Sequence, residues 1–588
     1  MKGILAMKNA RKIKYANHQV AASVAHMVLL LLFVTVTAGF AGGSMMMNGQ
    51  PNSAHPKLAR DLSTKHPHAP IDVVVQYRTA PREEHYAELA SRGVRVKSKL
   101  TSIRAIAMRI PASEIAVLEH NPNVLYITPD RHVKLTAIDE NYESPIQDLV
   151  AESSYALTGA GIGVALIDSG VSDHPDLHDA SGSSRVVYSQ SFVAGDTTTA
   201  DGYGHGTHVA GIVAGNGSAS ASGSGYAAPI VGMAPGANII NLRVLDATGA
   251  GTDSQVIAAI QQAIALKSQY NIRIINLSLG RPVYESYTLD PLCQAVEQAW
   301  QAGIVVVVAA GNSGRDNTYG TFGWATIGAP GNDPDVITVG ATRTMGTLTR
   351  NDDAIASYSS KGPTLLDHIV KPDIVAPGNR IDSLLAKGST LDTGYPSFEV
   401  GPSGNAKYFR LSGTSMATPV VSGAVALMLQ QDSTLTPETV KARLMKTAWK
   451  GFGTYSKAWD VFNNEYDDQY DIFTYGAGYL DIDAALGSTD VASGLALSPT
   501  AVYNSSNGTI TVVNTNSSVA GSSVIWGTSV IWGTSVIWGN ALEADSVIWG
   551  NSVVWGNSAD AGYSVVWGTS VIWGNTISAF SVDQDGEN

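Results

Sequence analysis

Residues 413–419, with the sequence GTSMATP, most constrain what this chain can fold into. They stand directly before residues 420–429 (VVSGAVALML), whose apolar positions recur at helical spacing and predict a buried helix. Ser415 therefore falls on a glycine-led turn at the start of that helix, where unpaired backbone N–H groups can stabilise negative charge. The same position also suits a serine that only caps the helix. A serine nucleophile additionally requires a base and an orienting acid.

Two upstream segments supply candidates for that acid and that base. Residues 163–170 (GVALIDSG) predict a buried strand that ends at Asp168, and residues 204–211 (GHGTHVAG) place His205 at the start of a second helix of small residues. In open α/β sheets the carboxyl ends of the strands and the starts of the following helices face one crevice. Asp168, His205 and Ser415 are therefore expected to converge, although they are far apart in the sequence.

Three blocks in the order Asp, His, Ser resemble the motifs of the subtilases, the subtilisin-like serine proteases. They are residues 168–171 (DSGV) followed by 174–177 (HPDL), residues 204–211 and residues 413–419. The resemblance implies that Ser415 is the nucleophile, His205 the general base and Asp168 the residue that orients the imidazole. It also implies that Asn312, in residues 309–312 (AAGN), donates to the oxyanion. A plain turn residue is the alternative role for such an asparagine.

Three other polar residues near these blocks are weighed against this assignment. His208 lies three residues after His205, a spacing that suits a pair of metal ligands, but no cysteine or carboxylate cluster in the sequence completes such a site. Asp201 and His174 are chemically able to replace Asp168 or His205, yet neither occupies the matching motif position. We therefore expect a structural role for His208 and assign the triad as above.

The resemblance also implies two segments that line the substrate. They are Ser278, Leu279 and Gly280, and Gly249, Ala250 and Gly251. Small residues there let a substrate backbone approach closely and hydrogen-bond as an added strand. The expected activity is that of a serine endopeptidase acting on protein or peptide substrates through an acyl-enzyme, with a broad preference for apolar or bulky residues before the cut. The alternatives are an inactive binding protein of this fold and an exopeptidase.

The catalytic domain is expected to span residues 144–488. Its apolar runs are residues 163–168, 239–245, 272–279, 304–310 and 336–341, and they alternate with helical patterns at 255–267 and 292–302. Nearly continuous apolar strands are typical of a parallel sheet covered by helices on both faces. The predicted fold class is therefore α/β, which the resemblance makes subtilisin-like. Residues 371–378 (KPDIVAPG) also match the family, and we assign them a structural role.

Two segments are expected before the catalytic domain. Residues 1–41 combine basic residues, an apolar stretch and small residues in the pattern of a secretory signal peptide, with an uncleaved membrane anchor as the alternative. Residues 42–137 contain a core at about 66–136 with the ferredoxin-like order β-α-β-β-α-β. This core resembles the family's inhibitory propeptide, an intramolecular inhibitor whose tail (residues 130–137) would pass through the active site before self-cleavage. A small unrelated binding domain is the alternative.

Residues 489–588 form a region of different composition. The motif Ser-Val-(Ile/Val)-Trp-Gly occurs there seven times, and adjacent copies repeat every six residues. An even spacing returns each Val and Trp to one face of an extended chain, so stacked strands would bury them and the extension is predicted to be β-rich. The tryptophan stripe suits contact with a carbohydrate or a cell surface. A low-complexity secretion tail without a ligand is an equal alternative.

Composition limits the partners and cofactors. The formal net charge of −13 argues against a nucleic-acid partner. Cys293 is the only cysteine, so the chain has no intrachain disulfide, and we expect a buried thiol. Calcium is frequent in the family that the chain resembles, but the sequence has no D-x-D-x-D-G loop; no metal ligand is assigned, and a structural Ca²⁺ stays open. The predicted location is extracellular, with attachment to the cell surface through the repeats as a further option.

Overall fold

The structure is a computed structural model of the chain and describes residues 57–62, 69–82, 93–134, 156–317, 321–347, 349–460, 464–504 and 509–513. All of these belong to one compact unit, residues 49–588. The predicted signal peptide, the tryptophan repeats and the first helix of the predicted β-α-β-β-α-β unit, which the sequence places at residues 83–92, lie outside the described residues. None of the helices in the described ranges has the length and apolar character needed to cross a membrane.

A four-stranded antiparallel sheet lies at the N-terminal end of the described chain. Its strands are β1 (Pro70–Tyr77), β2 (Arg95–Leu100), β3 (Ala105–Pro111) and β4 (Val124–Pro129), and helix α1 (Ile115–His120) precedes β4. Their spatial order is β2-β3-β1-β4, and every pair is antiparallel. This order fits the predicted ferredoxin-like arrangement.

This small sheet is buried on both faces, because its side chains alternate between two cores. Val73 and Val75 of β1 belong to a core inside the small unit, together with Ile106 and Met108 of β3. Val74, which lies between them in the sequence, belongs instead to the main core of the molecule. The small unit therefore packs on the rest of the chain through one apolar sheet face.

An eight-stranded sheet forms the centre of the molecule. In spatial order its strands are β13 (Ala354–Ile355), β12 (Ile337–Arg343), β11 (Val305–Ala309), β10 (Ile272–Leu277), β6 (Gly163–Asp168), β8 (Asn238–Arg243) and β7 (Val186–Ser191), and β14 (Ile374–Pro377) also pairs with β12. Every pair is parallel except β12–β13. The α/β class with a parallel sheet is confirmed, and each of the five predicted strands lies within two residues of its expected bounds.

Four helices cover this sheet in two packed pairs. Helix α2 (His205–Ala214) packs against α6 (Thr414–Gln431), and α3 (Asp253–Tyr270) packs against α4 (Pro291–Gln301). Helix α6 is buried over nearly its whole length, as its apolar sequence predicts. Helix α3 extends beyond the predicted range 255–267 at both ends. Its earlier start is explained by the capping box that Thr252 and Gln255 form.

The remaining described elements are short or peripheral. They are the pair β5 (His132–Lys134) and β9 (Ala250–Thr252); the sheet of β15 (Ile381–Leu384), β16 (Glu399–Val400) and β17 (Tyr408–Leu411); the hairpins β18 (Tyr455–Trp459)–β19 (Glu465–Gln469) and β20 (Thr500–Asn504)–β21 (Thr509–Val513); helices α5 (Thr390–Gly394), α7 (Pro437–Thr447), α8 (Ile472–Tyr475) and α9 (Ile482–Gly487); and 3₁₀ turns at Thr101–Ile103, Ala112–Glu114, Pro175–Leu177, Ser218–Ser220 and Pro396–Phe398. The sequence analysis did not predict the hairpin β18–β19.

A buried arginine joins the loop after β10 to the starts of α3 and α4. Arg281 Nε lies 2.9 Å from Asp253 Oδ1, and its Nη2 lies 2.7 Å from Asp290 Oδ1. All three side chains are buried. Each carboxylate lies at a helix N-terminus, where the helix dipole also favours negative charge. Arg281 thereby holds both helices against the segment that follows residues 278–280.

Replacing this arginine is expected to be costly. Arg281→Ala leaves two carboxylates buried without their cation and should lower the free energy of unfolding by about 3–5 kcal/mol. The measurement is urea unfolding of the full chain in a Ser415→Ala background, which lacks the predicted nucleophile. Lys457→Ala is the control, because its ion pair with Glu465 has side chains 42% and 46% exposed and should contribute less than about 1 kcal/mol. Equal losses in the two variants would contradict the prediction.

Candidate active site

The end of strand β6 and the start of helix α2, which the sequence predicts to lie close together, are in contact. Asp168 is the last residue of β6 and His205 the first of α2, and their relative exposures are 2% and 1%. His205 Nδ1 lies 2.9 Å from Asp168 Oδ1 and 3.1 Å from Oδ2. Because a carboxylate only accepts hydrogen bonds, Nδ1 carries the proton of the neutral ring and Nε2 is the acceptor.

The close approach of α2 to the end of β6 requires a glycine at position 206. A Cβ on Gly206 would collide with the carbonyl oxygen of Gly170 and would lie 3.2 Å from Asp168 Oδ1. A larger residue would therefore push the helix away from the strand. The small residues of the block at 204–211 are thus explained by packing as well as by chemistry.

Asp201 holds this junction together. Its carboxylate accepts hydrogen bonds from Ser169 Oγ at 2.8 Å and from the N–H groups of Gly204 and Thr207 at 2.7 and 2.8 Å. Ser169 Oγ in turn accepts a hydrogen bond from the Gly206 N–H at 2.9 Å. Burial raises the pKa of Asp201. Asp201 therefore ties the loop after β6 to the first turn of α2.

The two other histidines weighed from the sequence bind backbone carbonyls. His208 Nε2 donates to two carbonyl oxygens, each 3.0 Å away. Burial, together with the nearby His205, lowers the pKa of His208 to about 3, so this ring is neutral. His174 Nε2 lies 2.9 Å from the carbonyl oxygen of Lys407, and burial lowers the pKa of His174 as well.

Ser415 lies in the first turn of α6, which begins after Gly413 at a φ of 149°. Its hydroxyl donates to the carbonyl oxygen of Ser278 at 2.9 Å, and Ser278 Oγ donates to the Ser415 carbonyl oxygen at 2.8 Å. His205 Nε2 is buried and has no hydrogen-bond partner among the described residues. The helices that carry His205 and Ser415 pack together, but in this structure the serine hydroxyl bonds to Ser278 rather than to the imidazole.

Asn312 follows β11, and its side chain contacts the residue before Ser415. Asn312 Oδ1 accepts hydrogen bonds from the Thr414 N–H and from Thr414 Oγ1, each at 2.9 Å. Thr414 Oγ1 also accepts from the Gly311 N–H at 3.2 Å. Because the amide group is planar, its NH₂ end is directed away from Thr414. The structure thus brings Asn312 next to the start of α6, as expected from the sequence.

The two predicted substrate segments have different surroundings. In the first, Ser278 contacts Ser415 as described above, Leu279 is buried in the main core, and Gly280 lies next to the carbonyl group of Ala329. In the second, Ala250 and Gly251 belong to β9 and pair antiparallel with β5. In that pairing Val133 lies opposite Gly251. Part of the predicted propeptide tail therefore lies on a predicted substrate segment as an added strand.

Two residues just before β5 anchor it. Asp130 Oδ1 accepts a hydrogen bond from the Ser254 N–H at 2.8 Å, in the first turn of α3, where the dipole favours an anion. Arg131 is buried, and its Nη1 lies 2.6 Å from Glu285 Oε1, while Nη2 lies 2.9 Å from Asp61 Oδ1. The sequence analysis missed both anchors, since Arg131 and Glu285 are 154 positions apart and no local pattern connects them.

Two further features lie apart from these residues. Cys293 is buried, as predicted, and burial raises the pKa of its thiol, which makes it a poor nucleophile. Glu297, Asp333 and Asp335 form the only group of metal-ligating side chains found among the described residues. The sequence analysis missed this cluster, because only the pair Asp333 and Asp335 is close in sequence.

Known proteins are similar to the part of this chain that carries Asp168, His205, Asn312 and Ser415. Residues 159–478 match the model of the Subtilase family. Serine protease AprX of Bacillus subtilis (strain 168) is 40% identical over 360 residues, which cover 60% of this chain and 75% of that protein. Subtilisin E of Bacillus subtilis (strain 168) is 32% identical over 399 residues, or 68% of this chain and 84% of that protein.

A solved structure supports the fold. The crystal structure of fervidolysin from Fervidobacterium pennivorans, a keratinolytic enzyme related to subtilisin, aligns with a TM-score of 0.53 and 23% sequence identity. The alignment covers 77% of this chain and 65% of that chain. At this identity the likeness bears on the fold alone.

The anchoring of β5 gives a testable expectation. In the full-length Ser415→Ala protein, Arg131→Ala should loosen β5 from β9, because it leaves Glu285 buried without its cation. Amide hydrogen exchange of residues 132–134 and 250–252 should become about 100-fold faster, which corresponds to a loss of about 3 kcal/mol.

The control for this experiment is Arg109→Ala. Arg109 pairs with Asp72 in the same small unit, but its side chain is 57% exposed, so exchange at β5 and β9 should not change. Unchanged exchange in Arg131→Ala would show that the buried ion pair does not hold β5 in place.

Proposed function

We propose, on the premise that this chain belongs to the subtilase family and is a subtilisin-like serine protease, that it is an endopeptidase whose nucleophile is Ser415. The observation that supports this most directly is the buried hydrogen bond between Asp168 and His205, at the start of a helix packed against the helix of Ser415. In the neutral ring that bond places the proton on Nδ1 and makes Nε2 of His205 the acceptor, which is the atom a general base uses.

In the proposed reaction, Ser415 Oγ attacks the carbonyl carbon of the scissile peptide bond. The Ser415 side chain first turns from the Ser278 carbonyl towards His205, and its proton passes to Nε2 as the new C–O bond forms. Asp168 stabilises the resulting imidazolium and holds its orientation. The proton then passes to the leaving amine as the C–N bond breaks. A water molecule, activated by the same base, hydrolyses the acyl-enzyme and restores Ser415.

Two donors are proposed for the oxyanion of the tetrahedral intermediate. The first is the backbone N–H of Ser415, in the first turn of α6, where the positive end of the helix dipole adds to the effect. The second is the side-chain NH₂ of Asn312, whose oxygen is held by Thr414. Holding the amide before the reaction avoids the cost of reorienting a donor in the transition state.

The substrate is proposed to bind as an extended strand along residues 249–251, with residues 278–280 on its other side. The pairing of β5 with β9 supports this, because it places one extended chain segment on the second segment in antiparallel register. Strand β5 lies inside the chain, so the edge of β9 accepts a segment that has no free terminus. This favours an endopeptidase, because an exopeptidase needs a site that binds a free terminus. Mapping internal against terminal cuts in a denatured protein distinguishes the two.

We further propose that residues 42–137 act as an inhibitory propeptide and that residues 1–41 direct secretion. The occupied edge of β9 and the anchors at Asp130 and Arg131 support the first part. The proposals of secretion, of a separate extension at 489–588 and of a carbohydrate or cell-surface contact rest on the sequence alone. The mature enzyme would then begin beyond β5, within or after residues 135–137.

The nucleophile can be tested directly. Ser415→Ala should abolish labelling by a fluorophosphonate probe and leave the precursor uncut, because both need the same hydroxyl. The measurements are probe labelling and mass spectrometry of both termini of the product. Ser181→Ala, at an exposed serine bonded to Asp179, is the control and should keep labelling and maturation. Labelling of Ser415→Ala would reject the nucleophile, whereas maturation of an unlabelled mutant would reject self-cleavage alone.

The oxyanion donor can be tested through kinetics. Asn312→Leu should lower kcat by about 100- to 1,000-fold and change KM little, a magnitude measured in subtilisin itself for the loss of such a donor. Asn216→Leu is the control, since its side chain donates to the carbonyl oxygen of His178 away from the triad. A raised KM with unchanged kcat in Asn312→Leu would assign this residue to substrate binding instead.

A further inference from the structure

Two neighbouring side chains receive the guanidinium group of Arg131, which stands directly before β5. Arg131 Nη1 lies 2.6 Å from Glu285 Oε1, and the guanidinium carbon lies over the ring of Tyr284, 5.0 Å from its centroid. Arg131 and Glu285 are both buried. Glu285 thus meets the charge of the group and Tyr284 its flat face, the two features by which arginine is recognised. We call Tyr284 and Glu285 the guanidinium pocket; both lie inside residues 159–478, which match the Subtilase family.

Backbone pairing fixes which residue of a bound strand enters this pocket. In the pairing of β5 with β9, Val133 lies opposite Gly251, and the Asp253 N–H donates to the Arg131 carbonyl oxygen at 2.8 Å. Side chains alternate along an extended chain: Arg131 and Val133 are buried, whereas His132 between them is exposed. Any extended chain in the same register therefore directs into the pocket the side chain two positions before the residue opposite Gly251.

The surroundings of the guanidinium pocket contain more carboxylates than cations. Arg281 lies next to the same aromatic ring, but it already binds Asp253 and Asp290, at 2.9 and 2.7 Å. Among the described residues, Arg131 is the one cation that forms an ion pair with Glu285. Burial raises the pKa of Glu285, and the charge of Arg131 opposes this shift. A cation in the pocket therefore keeps the carboxylate ionised while the pocket is covered.

The other contacts of the pocket come from the segment that the proposed maturation removes. The Tyr126 hydroxyl donates to Glu285 Oε2 at 3.0 Å, and Asp61 Oδ1 lies 2.9 Å from Arg131 Nη2. Tyr126, Asp61 and Arg131 all belong to the proposed propeptide, whereas the two residues of the pocket do not. Release of the propeptide therefore leaves a carboxylate and an aromatic ring within reach of any chain that pairs with β9.

We propose that the guanidinium pocket is a specificity site of the mature enzyme. It selects a basic side chain, arginine above lysine, at the substrate position that Arg131 occupies in the precursor. The inference rests on the proposed function, in which a substrate strand pairs with residues 249–251 after residues 42–137 have left. A neutral side chain at that position covers Glu285 without supplying a counter-charge, which is costly. Arginine also stacks on Tyr284 through its planar group, which the compact ammonium of lysine lacks.

A role limited to the precursor is the alternative, because the ion pair of Arg131 with Glu285 also anchors β5 there. The two roles differ once the enzyme is mature. An anchor acts only on the chain's own tail, whereas a specificity site acts on every substrate that binds in this register. The experiment therefore varies the substrate and keeps the enzyme constant.

The test uses the enzyme that matures from the full-length chain, with quenched fluorescent peptides as substrates. The parent peptide copies residues 128–140 (TPDRHVKLTAIDE). Arg131→Gln in the peptide should lower kcat/KM by about 10- to 100-fold, because one partner of a covered charge pair is lost. Arg131→Lys should lower it by only about threefold. His132→Gln in the peptide is the control and should change kcat/KM little, since this side chain is exposed.

A matched change in the enzyme assigns the preference to the pocket. Glu285→Gln keeps the shape and removes the charge, so it should cut the parent peptide and the Arg131→Gln peptide with kcat/KM values within about threefold of each other. Glu465→Gln, at an exposed carboxylate that pairs with Lys457, should keep the full preference. Higher salt should reduce the preference of the parent enzyme, because it screens the pair while the substrate approaches. If Glu285→Gln fails to mature, the peptide series on the parent enzyme decides alone.

The outcomes separate this inference from the proposed function. Equal kcat/KM for the arginine and glutamine peptides on the parent enzyme would overturn the inference and leave the proposed function in place. A preference for arginine that persists in Glu285→Gln would also overturn it, because another group would then make the selection. Cleavage of none of the peptides, or cleavage by Ser415→Ala, would instead reject the proposed function and the inference with it.

Discussion

The hydrogen bond between Asp168 and His205 is the interaction on which the rest of the candidate site depends. It lies at a junction where a buried strand ends and a helix begins, so that both side chains are removed from water and the bond is stronger than it would be at the surface. It also determines which ring nitrogen of His205 carries the proton. The contact exists only because Gly206 lets the helix approach the strand and Asp201 ties the two together.

A second constraint is the way in which the small N-terminal sheet meets the larger one. Backbone pairing of β5 with β9 places few demands on side chains. For this reason the same edge suits the peptide substrate that the proposed function places there. The register of that pairing needs side chains, which Asp130 and Arg131 supply at the start of α3 and at Glu285. Val74 of β1 completes the contact because it belongs to the main core, while Val73 and Val75 on the other face fill the core of the small unit.

Local patterns predicted five strands of the central sheet, in which burial is nearly continuous. Strands β6, β11 and β12 are buried at every position, so each appears in the sequence as a largely apolar run. The hairpin β18–β19 was missed because its strands are largely polar and partly exposed, and they show no apolar period. Arg281 was missed for a different reason: its two aspartate partners are 28 and 9 positions away, and only the packing of the loop after β10 brings them together.

By itself, the sequence determined the chemical groups of the candidate site, their order along the chain and the buried strands and helices that carry them, because these follow from residue type and from short-range periodicity. Only the tertiary structure decided the distances between Asp168 and His205, the hydroxyl of Ser415 bonded to Ser278, the strand β5 on β9 and the meeting of Glu297 with Asp333. Such contacts join residues far apart in the chain. Their geometry is set by how the packed layers close on one another, and no local sequence signal encodes it.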